Sequence, residues 1–153
     1  MPIDDFDRQI IAALQDDARM PVAAIAERVA LSATPVSRRL RALEEDGVIA
    51  GYAPVLDTRK LGLELEAYVL INLPAHTDEI IDNFEREILA NPYVIACHAV
   101  TGDMDYLVRV VARDMEQLSD ITLKTLVRIP GVRDIRTVVA LKEIKQARKL
   151  PLG

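Results

Sequence analysis

The stretch Ile25-Ala26-Glu27-Arg28-Val29-Ala30-Leu31-Ser32-Ala33-Thr34-Pro35-Val36-Ser37-Arg38-Arg39-Leu40 carries helical apolar spacing on both sides of a short break. Upstream, Pro21 suits the first turn of a helix because its missing N–H is harmless there, and Val22, Ile25, Ala26 and Val29 form an apolar stripe. Ala30-Leu31-Ser32 breaks the pattern. Ser32 is placed to cap a following helix, with Pro35 in its first turn and Val36, Leu40 and Leu43 as its inward side. With Val36 set at 0°, Leu40 falls at about 40° and Leu43 at about 340°. Thr34, Arg41 and Arg38 fall at about 160°, 140° and 200°, on the opposite face, and Ser37 and Arg39 flank that face. A short helix, a tight turn and a helix with an apolar back and a front of hydroxyls and guanidiniums make a helix-turn-helix reading unit. Three cations on one helix face are also what a solvated surface looks like. The turn, the small Ala24 and Ala26 and the three-helix layout favour DNA.

Working towards the N-terminus, Asp4 is a helix cap, and Phe6, Ile10, Ile11 and Leu14 follow at helical spacing until Asp16-Asp17-Ala18-Arg19 breaks it. Towards the C-terminus, Gly47 ends the third helix, and Val48-Ile49 with Tyr52 to Leu56 suggest a short strand. Asp57 to Gly62 reads as a connection. Strands are expected at Leu65–Leu73, Tyr93–Thr101, Asp105–Arg113 and Val132–Leu141. Helices are expected at Asp78–Ala90, stopped by Asn91-Pro92, and after the cap Asp114, with Leu118, Ile121 and Leu126 inward. The order is βαββαβ, the ferredoxin-like split arrangement. The fold class is thus α+β, with expected domains at 1–52 (helix-turn-helix), 53–63 (strand linker) and 64–153 (βαββαβ).

Two helices cover only one face of a four-stranded sheet, yet these strands are apolar on both. In Tyr93–Thr101 strict alternation puts Val94, Ala96, His98 and Val100 on one side and Ile95, Cys97 and Ala99 on the other. In the third strand Val108, Val110 and Ala112 share a side, while Leu107 and Val111 lie opposite with arginines. An apolar face left uncovered is an interaction surface, so a dimer is expected through it. Two-fold symmetry then pairs the reading helices on pseudo-palindromic double-stranded DNA.

Charge and composition narrow the classes further. Net charge is −5, and residues 1–60 hold 8 basic and 10 acidic side chains, so DNA binding must come from a local patch. Apolar runs such as Ile10–Leu14 and Ala67–Ile71 are far shorter than the roughly 20 residues of a membrane span. Met1-Pro2-Ile3-Asp4-Asp5 carries acids where a secretory leader carries bases, and Cys97 is the single cysteine, so a cytoplasmic protein is expected.

Thr101-Gly102-Asp103-Met104-Asp105-Tyr106 is the second stretch that bears chemistry. Glycine lets backbone approach a small ligand, and a neighbouring carboxylate can hold an ammonium group. By residue chemistry alone a plain hairpin turn is the simpler reading. Catalysis has little support: His98 and Cys97 read as packed strand residues, Asp103 and Asp105 lack a third metal ligand at diagnostic spacing, and no phosphate loop is present. No cofactor, no metal and no enzymatic activity are expected. A minor alternative is a small metal enzyme using Asp103, Asp105 and His98. Another is an amino-acid-sensing module that regulates a partner enzyme by protein contact.

These segments together resemble the Lrp/AsnC, or feast/famine, regulators. The opening Asp4–Ile11, the stretch 25–40 with Leu43-Glu44 and Gly47–Tyr52, the loop Val100–Leu107, and Ile129–Val132 with Lys142–Lys145 carry the resemblance in order along nearly the whole chain. It implies a winged-type helix-turn-helix joined by a strand linker to a βαββαβ effector domain, dimers that assemble further, commonly to octamers, and control of amino-acid-related genes by a free amino acid. It assigns Ser32, Thr34, Pro35, Ser37, Arg38, Arg39 and Arg41 to DNA. It assigns Thr101, Gly102, Asp103, Met104, Asp105 and Tyr106 to the effector at an oligomer interface, with Asp103 or Asp105 as ammonium partner, displacing the plain-turn reading. One departure is Ala30, where the family often has glycine; a positive φ there strains alanine by about 1 kcal/mol.

Overall fold

The structure is a computed structural model that describes residues 2–145 and 149–152. Of the basic tail expected over Lys142–Gly153, residues 146–148 and 153 lie outside the described residues. The chain divides into two compact units, 1–55 with 144–153, and 56–143. By contact, the described residues 149–152 group with the helical unit.

The helical unit holds α1 (Asp5–Asp16), α2 (Val22–Arg28) and α3 (Ala33–Glu45). Asp4 caps α1 in a reciprocal capping box with Asp7, each carboxylate accepting from the other's backbone N–H. Ile10, Ala13, Ile25, Ala26, Val29, Val36 and Leu43 form the core of this unit, with Ile11, Leu14, Val22 and Leu40 partly buried against it, while Phe6, expected on the inward stripe of α1, is exposed. α2 ends in a Schellman closure: Leu31 N–H donates to Ala26 C=O and Ala30 N–H to Glu27 C=O. The αL position of that closure is Ala30, at φ 54°, so the anticipated strain is present. Ser32 stands at the N-cap of α3 in extended conformation, but its hydroxyl makes no capping bond, against the sequence expectation. The hydroxyl is left on the exposed front of α3.

No strand forms over Tyr52–Leu56 within the chain, and residues 53–63 contain only a 3-10 turn at Arg59–Leu61. A strand needs a hydrogen-bonding neighbour, and none of the described residues supplies one here. Tyr52, Val55 and Leu56 are exposed along this segment.

The second unit contains β1 (Leu65–Asn72), α4 (Asp78–Ala90), β2 (Val94–Ala99), β3 (Tyr106–Ala112), α5 (Met115–Ser119) and β4 (Asp134–Val139). The strands make one sheet in the order β2-β3-β1-β4, antiparallel throughout. This is the expected βαββαβ arrangement. α5 continues as a π turn at Asp120–Thr125 and a 3-10 turn at Leu126–Arg128. Within this wider turn the buried Thr122 hydroxyl donates back to the Leu118 and Ser119 carbonyls.

Phe84 and Ile88 of α4, with Leu118 and Ile121, cover Ala67, Val69 and Ile71 of β1 and Tyr106, Val108, Val110 and Ala112 of β3. The opposite side carries Tyr68 and Leu70 beside Leu107, Arg109 and Val111, only partly buried except for Val111. In β2 the expected split of faces does not hold. The register shifts between Val94 and Ala96, and a bulge at Ile95 turns Val94, Cys97 and Ala99 toward the helices. Ala96 and His98 lie on the open side, and His98 is exposed, not packed. Among the described residues no helix is long and apolar enough to cross a membrane.

Candidate functional site

The outward face of α3 is built by the apolar back that pins it. Val36 and Leu43 are fully buried and Leu40 partly so, which turns Ser37, Arg38 and Arg41 outward, all exposed. Ser32 and Thr34 are exposed at the start of the helix, and Pro35 is half-buried between them and the core. Among the described residues, neither Arg38 nor Arg41 enters an ion pair. Two guanidiniums on one helix face, flanked by hydroxyls, match phosphates and guanine edges.

Arg39 is placed otherwise. Its Nη1 donates to Asp4 Oδ2 and to Asp7 Oδ1, each at 2.8 Å, and its guanidinium lies 5.6 Å from the Phe6 ring centre. Donating to the Asp7 and Asp4 carboxylates pushes its pKa above the ordinary arginine value. Expected among the DNA-facing residues, Arg39 in this structure clamps α3 to the start of α1, where two carboxylates share its charge.

In the second unit, the loop between β2 and β3 is tied to the end of β1. Asp105 N–H donates to Ile71 C=O, Leu73 N–H donates to Asp105 Oδ2 at 2.7 Å, and the Asn72 amide donates to Asp103 C=O. Asp105 Oδ1 lies 2.9 Å from His76 Nε2. The Leu73 N–H, followed by His76, holds the Asp105 carboxyl below the usual carboxylate range. Gly102 sits at φ 127°, which L side chains rarely adopt, so the loop needs glycine there. Thr101, Gly102 and Asp103 are exposed, and Met104 is half-buried.

Of the two carboxylates proposed for an ammonium partner, Asp105 is therefore committed to the protein, while the Asp103 carboxylate has no hydrogen bond among the described residues. Tyr106 is buried in the sheet core against Phe84, with ring centres 4.5 Å apart. Expected in the effector set, it packs in the sheet core in this structure. Asp103, Asp105 and His98 are not brought together as a ligand set: the partner of Asp105 is His76, and among the described residues no cluster of three or more ligating side chains is present. A cleft of about 620 Å³ lies elsewhere in this unit, lined by Glu87, Tyr93, Arg113 and Gln117, and the loop residues do not contribute to it.

Residues 3–50 match the family model for a winged helix-turn-helix DNA-binding domain, and residues 66–150 match that for the Lrp/AsnC ligand binding domain. The chain belongs to the Lrp/AsnC family. It is a transcriptional regulator by that membership, as the resemblance implied. Over 150 residues this Lrp/AsnC protein is 37% identical to the Bkd operon transcriptional regulator of Pseudomonas aeruginosa, with 98% of each chain covered. It is 36% identical to the leucine-responsive regulatory protein of Escherichia coli, with 97% of this chain and 90% of that one covered. Its fold superposes on a transcriptional regulator from Neisseria meningitidis, solved as a complex with L-methionine, at a TM-score of 0.95 and 34% identity, covering 99% and 98% of the two chains.

Sequence reasoning missed His76 as part of the loop assembly of this Lrp/AsnC protein. His76 lies 29 positions before Asp105, and no local pattern signals the pair. It also missed the Glu66–Arg109 fork on the open sheet face, where both nitrogen–oxygen distances are 2.8 Å and the Tyr68 hydroxyl donates to Glu66. The cross-strand pairing of β1 with β3 creates that fork, and only the register reveals it.

Proposed function

We propose that this regulator binds pseudo-palindromic double-stranded DNA as a dimer, in the cytoplasm, and that a free amino acid tunes it at genes of amino-acid metabolism. Arg38 and Arg41 contact bases or nearby phosphates, and Ser32, Thr34 and Ser37 contact the backbone beside Pro35. The exposed cationic front of α3 carries this reading.

The effector half of the proposal rests on the loop Thr101–Met104. Asp103 holds the ammonium group, and the backbone around Gly102 approaches the carboxylate end. The loop is an exposed turn, so a ligand lying on it needs a second surface to enclose it. A site at a contact between dimers supplies one, and an octamer is the assembly this favours. The L-methionine complex of the Neisseria relative supports an amino acid as ligand, and the leucine-responsive relative supports a link to amino-acid supply.

The dimer half rests on the open sheet face. Leu70, Leu107, Val111 and Val138 are apolar there, and the Glu66–Arg109 pair satisfies its own charges among them. The exposed Tyr52–Leu56 segment is a strand waiting for a neighbour that a second copy can provide.

Selection of genomic DNA fragments by the purified protein, repeated with Arg38→Ala/Arg41→Ala, tests the DNA reading. Equal enrichment by both proteins would sink it. Thermal unfolding against the twenty amino acids tests the effector. A ligand at about 100 times its dissociation constant adds roughly 2.7 kcal/mol, and a flat response to all twenty would remove the amino acid from the proposal.

A further inference from the structure

The last residues of the chain lie along α1. Lys149 Nζ pairs with Asp16. The Gln15 carboxamide accepts from Leu150 N–H and donates to Leu150 C=O, the latter at 3.3 Å. Arg8 donates to Leu152 C=O. The contacts run from Asp16 back to Arg8 as the tail runs from Lys149 to Leu152, so the tail is antiparallel to the helix. Eight residues of helix span about 12 Å, which three extended residues of roughly 3.3 Å each nearly match. The spacing of partners on α1 therefore fits an extended Leu-Pro-Leu segment.

Beside these bonds runs an apolar groove of about 600 Å³, lined by Ile11, Leu14, Val48, Tyr52 and Val55 together with Leu150 and Leu152. Pro151 has no N–H to leave unpaired, and its ring holds φ near the extended region. Gln15 reads both backbone groups of Leu150 much as a neighbouring strand would. Asp16 also receives Arg28 from the last turn of α2, at 2.5 Å. The tail thus meets the same carboxylate that joins α1 to the first helix of the reading unit.

We propose that Lys149–Leu152 is a docking peptide carried by the chain for its own DNA-binding unit, and that the reading unit needs this peptide for its full stability and operator affinity. Segment 149–152 forms one wall of the groove, with Leu150 largely exposed and Leu152 partly buried against it. The charge match to Asp16, the two-way match to Gln15 and the partly buried Leu152 at the groove carry the assignment. It is independent of the effector, because no contact involves residues 101–106.

The test compares the full chain with Gln15→Ala, with Leu150→Asp/Leu152→Asp and with a chain ending at residue 145. The first readout is amide hydrogen exchange at Leu150, whose N–H donates to Gln15. The docked segment of the parent is protected, and Leu150 of Gln15→Ala exchanges at least tenfold faster. The second readout is DNA binding, where Leu150→Asp/Leu152→Asp and the shortened chain weaken operator affinity at least threefold, with amino-acid binding unchanged. Gln15→Ala keeps a helix-favouring residue on the surface of α1, so it separates undocking from misfolding. Equal exchange at Leu150 in parent and Gln15→Ala overturns the proposal, as does unchanged operator affinity in the shortened chain. Protection in the parent that vanishes on dilution to monomer assigns the groove to a second copy's tail and also overturns it.

Discussion

Arg39 Nη1 lies 2.8 Å from Oδ1 of Asp7, whose side chain is 1% exposed, and the same nitrogen reaches Asp4. A residue of the reading helix is thereby spent on holding that helix to α1. Arg39→Ala leaves Asp7 buried without its cation, and breaking such a pair destabilises by about 3 kcal/mol when both groups are buried. Arg39 is partly exposed, so a loss of about 2 kcal/mol in urea unfolding is expected. Operator binding of the folded fraction should keep its salt dependence. A fall in the salt slope with unchanged stability would return Arg39 to the phosphate contacts.

Arg38 and Arg41 should behave in the opposite way. Each is exposed, so alanine at either position changes stability by no more than about 0.5 kcal/mol. If it contacts a base, its loss costs about 1–3 kcal/mol in specific binding; if a phosphate, the salt slope falls by about 1. Titrations of a labelled operator at several salt concentrations separate the two. Both parameters unchanged in the double variant would remove α3 as the reading helix.

The left-handed Ala30 gives a third expectation. Glycine relieves the αL strain of about 1 kcal/mol, while the extra freedom of the unfolded chain takes back a part of it. Ala30→Gly should raise stability by about 0.5 kcal/mol, seen as a higher urea midpoint at constant slope. Ala30→Val should lower it, since a β-branched residue tolerates positive φ least. A lower midpoint for Ala30→Gly would contradict the closure of α2 described above.

Acid should weaken the second unit through two carboxylates. The hydrogen bonds from Arg109, and then Tyr68, hold Glu66 below the usual range, and the Leu73 N–H with His76 does the same for Asp105. A carboxylate with a lowered folded-state pKa contributes stability above its unfolded pKa and loses it as pH falls through the folded value. Stability should therefore drop below about pH 4.5, where free carboxylates begin to protonate. Glu66→Gln should be less stable than the parent at pH 7 and lose less between pH 5 and pH 3. Parallel curves for the two proteins would show that the Glu66–Arg109 pair does not couple to folding.

What was legible in the sequence follows the range of the forces involved. α4 runs Asp78–Ala90 as expected, because Thr77 and Asn91-Pro92 mark its ends locally. Tyr106 shares the strand parity of Val108 and Val110, so its burial was readable even though its motif suggested a ligand. Ile95 gave no warning of its bulge, since neither glycine nor proline marks it. Arg39 sits at about 300° on the helical wheel, only about 60° from the buried Val36. That flank position was visible, but Asp7, 32 residues earlier, was not. Pairs such as His76–Asp105 and Glu66–Arg109 depend on strand register and loop closure, which a periodicity does not encode.

The two aspartates of the effector loop should separate cleanly. Asp103 is exposed, and its side chain supports nothing else among the described residues, so Asp103→Ala should leave the ligand-free stability within about 0.5 kcal/mol of the parent. It should remove the stabilisation given by the effector amino acid, because the ammonium group loses its charge-assisted partner. Asp105→Ala strips the acceptor from the Leu73 N–H and from His76, so it should destabilise the ligand-free protein by about 1–2 kcal/mol. Its effect on the amino acid is indirect, through a loosened loop, and should ease in Asp105→Asn, which keeps an acceptor oxygen for Leu73. Thermal unfolding of the three variants, with and without the amino acid, decides it. An Asp103→Ala protein that still responds fully would move the ammonium site off this carboxylate.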